Sequence, residues 1–68
     1  MKAYDIKYGT KVIVTDKNIQ IPPSSIQITT GDEITIYKVD GMYCNGIDKD
    51  NNKIYIAAWT DVEPYINK

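Results

Sequence analysis

The sequence contains no histidine, arginine, leucine or phenylalanine, and it has a single cysteine, Cys44. Without histidine the chain lacks the side chain that most often transfers protons near neutral pH. Glycine-rich phosphate loops, nucleophile elbows and paired-carboxylate motifs are also missing. A lone cysteine excludes a disulfide within the chain and suits a reducing compartment. We therefore expect a cytoplasmic protein that is not an enzyme and binds no cofactor.

Strong charge and long apolar runs are absent as well. Eight basic residues, all of them lysine, stand against nine acidic ones, which leaves a net charge of −1. Nucleic-acid-binding domains usually carry a basic excess, so this balance disfavours nucleic acid as the partner. No apolar run approaches the ~18 residues of a membrane-spanning helix, and residues 1–5 contain no apolar signal segment. We expect no membrane partner.

Isoleucine and tyrosine dominate the residues that are present, with 12 and 6 copies respectively. β-branched and aromatic side chains favour strands over helices. An AT-rich coding genome would give the same excess of isoleucine, lysine, asparagine and tyrosine, so the composition has two open explanations. Together with the length of 68 residues, it fits a small accessory protein of a phage or bacterium. A chain this short forms one domain, residues 1–68.

Alternating apolar residues bounded by turn residues recur along the chain and predict short strands. Strands are predicted at residues 11–15, 33–39, 42–47, 53–59 and 62–65. Asp40-Gly41 and residues 48–52 predict the hairpin turns between them. Residues 19–21 and 26–28 alternate too, and the prolines that follow the first of these cannot donate backbone hydrogen bonds. No helical period occurs, so we expect an all-β barrel of about five to six antiparallel strands.

The middle of the chain resembles the Src-homology-3 family. Residues 26–36 match its diverging turn, in which an apolar pair, two polar residues and Gly31-Asp32 precede an alternating strand. Residues 62–66 are similar to the closing strand of the family, and residues 3–5 are similar to its opening one. The resemblance implies a small Src-homology-3-like barrel.

The chain departs from that family where proline-rich peptides would bind. Members with this activity use a tryptophan just after the first hairpin turn and a proline before the last strand. Met42-Tyr43 and Ala57-Ala58 occupy those positions here, and residues 9–25 lack the acidic character of the first loop of the family. The resemblance therefore implies the barrel without polyproline recognition, which needs those aromatic slots.

Two other motifs have structural interpretations. Cys44 lies in a predicted strand with no base beside it, so we expect a small buried thiol rather than a nucleophile. Residues 48–52 begin like a calcium loop, but Lys53 and Trp59 occupy the places that require glycine and glutamate. We therefore expect a solvated hairpin turn and no metal.

Four aromatic residues, Tyr37, Tyr43, Tyr55 and Trp59, fall on three neighbouring predicted strands. Strand alternation points Tyr37 and Tyr55 away from the isoleucine faces of their strands. Such a cluster, if exposed, would serve as a protein-binding hot spot or as a base-stacking platform. The structural alternative is that the rings form cross-strand pairs that stabilise the sheet, or core residues.

These observations predict a non-catalytic protein-interaction module, a phage or bacterial accessory factor that binds a host or partner protein. The alternative function is single-stranded nucleic-acid binding on the same aromatic residues. A third hypothesis is a homodimer, formed when an uncovered edge strand pairs with its copy across a two-fold axis.

Overall fold

A computed structural model describes residues 1–65; Ile66, which ends the predicted closing strand, lies outside them. The described residues form one 3-10 helix and five strands in a single antiparallel sheet. The helix spans Ala3–Asp5, and the strands are β1 (Thr10–Val14), β2 (Glu33–Asp40), β3 (Tyr43–Asp48), β4 (Lys53–Ala57) and β5 (Val62–Pro64). The all-β class and the expected number of strands are confirmed. No helix within residues 1–65 has the length and apolar character needed to cross a membrane.

The strands lie in the order β4-β3-β2-β1-β5, so four of them form a meander and β5 returns beside β1. The two edge strands, β4 and β5, do not pair with each other in the described part of the chain. In a flat sheet they would lie ~19 Å apart. The chain from Ala57 to Val62 spans at most ~17 Å, and it turns back on itself where Thr60 donates its N–H to Ala57. The sheet must therefore curl, which wraps one face around a core.

Isoleucine and valine fill this core. The side chains at most 1% exposed include Ile34, Ile36, Ile54, Ile56, Val12, Val14 and Val62. In β2 and β4 they alternate with residues on the opposite face, as the strand period of two requires. Cys44 is also 0% exposed, which confirms its interpretation as a small buried thiol.

The connection between β1 and β2, residues 15–32, contains no strand, although two of its segments alternate. Ile28 is buried, and Ile19 and Ile21 pack partly against the core, whereas Ile26 is 42% exposed. The alternating isoleucines of this segment therefore belong to a long loop. Ile19, Ile21 and Ile28 pack against the core from it, but none of them pairs in a strand. The turn expected at the end of this loop does form, because Asp32 donates its N–H to Thr29 at 3.1 Å.

The same loop covers the outer edge of β4. Ala57 donates its N–H to the carbonyl of Gln20 at 2.9 Å, and Tyr55 donates its N–H to the hydroxyl of Ser25 at 3.0 Å. These two donors point away from β3 and would be the ones offered to a neighbouring strand. A homodimer formed by pairing of two β4 strands would need these N–H groups as donors. Both already donate to the loop, which disfavours such a dimer.

The outer edge of β5 is covered in a similar way. Val62 donates its N–H to the carbonyl of Met1 at 2.8 Å, and Pro64, the next residue with the same outward direction, has no N–H. Both strands at the ends of the sheet therefore offer few donors to a second copy.

Asp16 ties the long loop to the turn between β4 and β5. Its carboxylate accepts the N–H of Asp61 at 3.0 Å and that of Asn18 at 2.9 Å. These hydrogen bonds, the one from Asp61 foremost, hold the pKa of the Asp16 carboxyl below its ordinary value of 3.8 because they stabilise the charged form.

Asp16→Asn is expected to flatten the acid dependence of stability. A carboxyl with a lowered pKa stabilises the fold above its unfolded-state pKa, and this contribution is lost as the pH falls through the folded-state pKa. The Tm of the wild type should therefore fall more steeply than that of Asp16→Asn between about pH 5 and pH 2. Circular dichroism melts across this range measure both slopes. Asp50→Asn is the control, since the Asp50 carboxylate accepts no hydrogen bond within residues 1–65; parallel curves for wild type and Asp16→Asn would contradict the assignment.

Candidate functional site

β2 contains a β-bulge at Tyr37. The register shifts between Ile36 and Lys38, and Lys38 pairs with Asn45 of β3, which leaves Tyr37 without a partner. Residues opposite each other in an antiparallel ladder project from the same face, so Lys38 lies on the outer face with Asn45. Tyr37 and Lys38 are both exposed, and Val39 returns to pack against the core. The extra residue thus places two consecutive side chains on the outer face.

Three of the four predicted site residues share this outer face of β2, β3 and β4. Asn45 lies opposite Tyr55 on one side and opposite the bulge at Tyr37 on the other. Tyr43 lies two residues before Asn45 on the same side of β3, diagonal to Tyr55. Tyr37 is 49% exposed, and the other two tyrosines are half-buried. We define the tyrosine face as Tyr37, Tyr43 and Tyr55 around Asn45.

An open groove of about 240 Å³ lies on the tyrosine face. Tyr37 and Tyr55 line it from β2 and β4, whose backbones are two strand spacings, ~10 Å, apart. Its other lining residues are Asn45, Gly46, Ile47, Lys53 and Ile54. Pockets that enclose a small molecule usually measure ~300–1,000 Å³. This groove suits contact with one segment of a larger partner instead.

Trp59 does not line the groove. β4 ends at Ala57, two residues earlier than predicted, because the chain turns over residues 57–60. Trp59 is 40% exposed in that turn, and the preceding Ala58 bonds to the backbones of Met42 and Tyr4. The structure therefore brings three predicted site residues together and leaves the fourth in a different element.

Two lysines lie next to the tyrosine face on the same side of the sheet, but the sequence does not predict them as site residues. Lys38 reaches this side through the bulge, and Lys53 lines the groove. The ion pairs within residues 1–65 lie elsewhere, joining Lys2 to Asp61 at 2.7 Å and Lys11 to Glu33 at 3.7 Å. The sequence signal for Lys38 is the spacing Ile34, Ile36, Val39, which breaks the period of two and indicates a bulge. No sequence signal marks Lys53, whose place depends on strand register.

In the hairpin at residues 48–52, the first of the two acidic side chains, Asp48, accepts hydrogen bonds from the backbone of the turn. Asp48 accepts the N–H groups of Asn52 at 2.8 Å and of Asp50 at 2.9 Å. These bonds, the one from Asn52 foremost, lower the pKa of the Asp48 carboxyl. The oxygen that would be the first calcium ligand therefore closes the turn. Within residues 1–65 no group of three or more acidic, cysteine or histidine side chains is placed to hold a metal.

Cys44 is the one thiol of the chain, and it does not face the groove. Its side chain lies on the core face of β3, and burial raises the pKa of the thiol because a charged thiolate would be desolvated. A buried neutral thiol is a poor nucleophile.

The resemblance of residues 26–66 to the Src-homology-3 family rests on short motifs. The structure shows the coarse features that go with it, five antiparallel strands and a turn at Gly31 (φ +97°) before β2. Residues 3–5, which the resemblance matches to the opening strand, form a 3-10 helix instead. The sheet itself is not closed by pairing of β4 with β5 within residues 1–65. Comparisons with protein-family models, with curated proteins and with solved structures give no match to this chain.

Proposed function

We propose that this protein is a non-catalytic module that binds a partner protein through the tyrosine face. The observation that carries the proposal is the groove in which Tyr37 and Tyr55 flank Asn45 on an open sheet face. Tyrosine is enriched in interface hot spots because its ring contributes a large contact area and its hydroxyl can still hydrogen-bond. Asn45 and Tyr55 lie opposite each other on paired strands, and side chains held in this way are pre-organised, which lowers the entropic cost of binding.

A binding role accounts for the chemistry of the groove better than a catalytic one. Its lining includes one amine, two phenols and one carboxamide, but no carboxylate, thiol or imidazole. General acid–base catalysis needs a positioned group that titrates near the working pH. The only cysteine is buried on the opposite face of β3. We therefore propose that the protein has no enzymatic activity of its own.

We infer a Src-homology-3-like barrel as the scaffold of this module. The return of β5 to β1 beside a four-strand meander supports it, as does the turn that leads into β2. The peptide-binding tryptophan and proline of the family are absent, since Met42-Tyr43 and Ala57-Ala58 stand in their places. The tyrosine face would then be the binding surface in this barrel. Composition and length support a phage or bacterial accessory factor that acts in the cytoplasm.

Tyr37→Ala and Tyr55→Ala are each expected to abolish capture of the partner from a lysate of the source cells. Truncating a hot-spot side chain costs about 2 kcal/mol or more, which weakens binding by ~30-fold. The measurement is affinity capture on immobilised protein, with circular dichroism to show that each variant folds. Tyr4→Ala is the matched control, because Tyr4 is 54% exposed but does not line the groove. Capture by both groove variants at the wild-type level would contradict the proposal.

Single-stranded nucleic acid is the second candidate, and one observation favours it. Tyr37 and Tyr55 could stack bases while Lys38 and Lys53 contact phosphates. The net charge of −1 opposes it, because a polyanion is attracted mainly by a basic excess. Titration with a ten-nucleotide oligothymidylate distinguishes this candidate from protein binding.

A further inference from the structure

The carboxamide of Asn45 is a polar group of the groove without a partner in the described part of the chain. It lies between Tyr37 and Tyr55. None of the side-chain hydrogen bonds within residues 1–65 involves it. Every fully buried side-chain polar atom in the described residues has a hydrogen-bond partner, so the unpaired amide atoms of Asn45 are not fully buried. A carboxamide donates and accepts side by side, which matches the amide group of an extended peptide backbone.

The charges around Asn45 are locally positive. Lys38 lies directly opposite it, and Lys53 lines the groove one row further along β3. Neither lysine forms an ion pair with a carboxylate within residues 1–65. Two acidic residues lie on the outer face of β2 outside the groove: Asp40, opposite Tyr43, and Glu33, which forms an ion pair with Lys11. This surface is therefore complementary to negative charge although the whole chain is slightly acidic.

Resting on the proposed function, we propose that the segment bound by the tyrosine face is an extended, acidic peptide. A backbone amide of that peptide pairs with the carboxamide of Asn45. An aromatic or other apolar side chain lies over the groove between Tyr37 and Tyr55. Carboxylates of the peptide contact Lys38 and Lys53. A folded partner would present such a segment as an exposed loop or terminus.

Peptide fits this surface better than nucleic acid does. Two lysines are enough to select one or two carboxylates, because each ion pair acts over a few ångströms. Non-specific binding of a nucleic acid depends instead on neutralising a run of phosphates. Nine acidic residues against eight lysines give the protein no long-range attraction for a polyanion.

Three capped heptapeptides provide the test: GDYDYDG, its neutral analogue GSYSYSG and its basic analogue GKYKYKG. Each is titrated into the ¹⁵N-labelled full chain, and a ten-nucleotide oligothymidylate is titrated in parallel. The acidic peptide should shift the amide signals of Tyr37, Asn45 and Tyr55 and should bind about fivefold or more tightly than the basic one. Lys53→Glu leaves one lysine and one carboxylate beside Asn45, so it should abolish the preference for the acidic peptide. Asn45→Ala should weaken all three peptides and leave their order unchanged.

The outcomes separate this inference from the proposed function beneath it. Equal binding of the three peptides on the tyrosine face would overturn the preference for acidic segments and leave the face as a binding site. An order that Lys53→Glu does not change would overturn the role given to Lys53. Tighter binding of oligothymidylate at the same residues would replace the peptide with nucleic acid. Absence of shifts on the tyrosine face with every peptide would overturn the inference outright.

Discussion

Replacing Ile36 with alanine is expected to leave much of the protein unfolded at room temperature. Ile36 is 0% exposed, and its strand β2 has a neighbour on both sides. Truncating a buried isoleucine to alanine costs about 2–5 kcal/mol, because its contacts are lost and a cavity remains. The core of so short a chain supplies only about 3–5 kcal/mol of net stability. The loss is therefore comparable with the whole free energy of unfolding.

Urea unfolding followed by the fluorescence of Trp59, the single tryptophan, measures this loss. Ile26→Ala is the matched control. This substitution removes the same atoms, but Ile26 is 42% exposed in the long loop. Its cost should stay below about 1 kcal/mol. If Ile36→Ala and Ile26→Ala unfolded at the same urea concentration, the core would not lie where the structure places it.

Gly46→Ala is expected to weaken the pairing of β2 with β3. A Cβ at Gly46 would clash with the carbonyl oxygen of Thr35 and lie 3.3 Å from its carbonyl carbon. Both atoms belong to the backbone of β2, so the strain is relieved only if the strand moves. Forcing an extra carbon into such a site costs about 1–3 kcal/mol. The close approach lies beside the bulge at Tyr37, and a bulge increases the local twist of its strand.

The urea midpoint of Gly46→Ala should therefore fall well below that of the wild type. Asn45→Ala is the stability control, since this neighbouring side chain points to the outer face and makes no hydrogen bond within residues 1–65. Its midpoint should remain close to that of the wild type. A wild-type midpoint for Gly46→Ala would show that β2 and β3 do not approach as closely as the structure describes.

The strand framework could be predicted because it depends on local signals. Ile34 and Ile36, and likewise Ile54 and Ile56, mark one face of a strand by alternation. Asp40-Gly41 marks the turn between β2 and β3, and Gly41 there has a φ of +65°. Alternation failed in the loop of residues 15–32, since a strand also needs a partner and partners are set by long-range packing.

The site was less accessible to prediction than the framework. Tyr37 and Tyr55 were placed on the outer face by alternation alone, and the structure agrees. The contributions of Lys38 and Lys53 depend on the bulge and on the register of the two hairpins β2-β3 and β3-β4, and a one-residue change in register would move each side chain to the opposite face. The position of Trp59 depends on the turn at residues 57–60, which connects β4 to β5 at the opposite edge of the curled sheet. A sequence pattern of period two has no information about such a turn.

Whether the partner binds through the tyrosine face can be measured as the affinity of the captured partner for the groove variants. Isothermal titration of the purified partner with wild type, Tyr37→Ala, Tyr55→Ala and Tyr4→Ala gives four dissociation constants. We expect the two groove variants to bind the partner ~30-fold or more weakly than the wild type, and Tyr4→Ala to bind it as the wild type does. Equal dissociation constants for all four proteins would contradict binding through the tyrosine face.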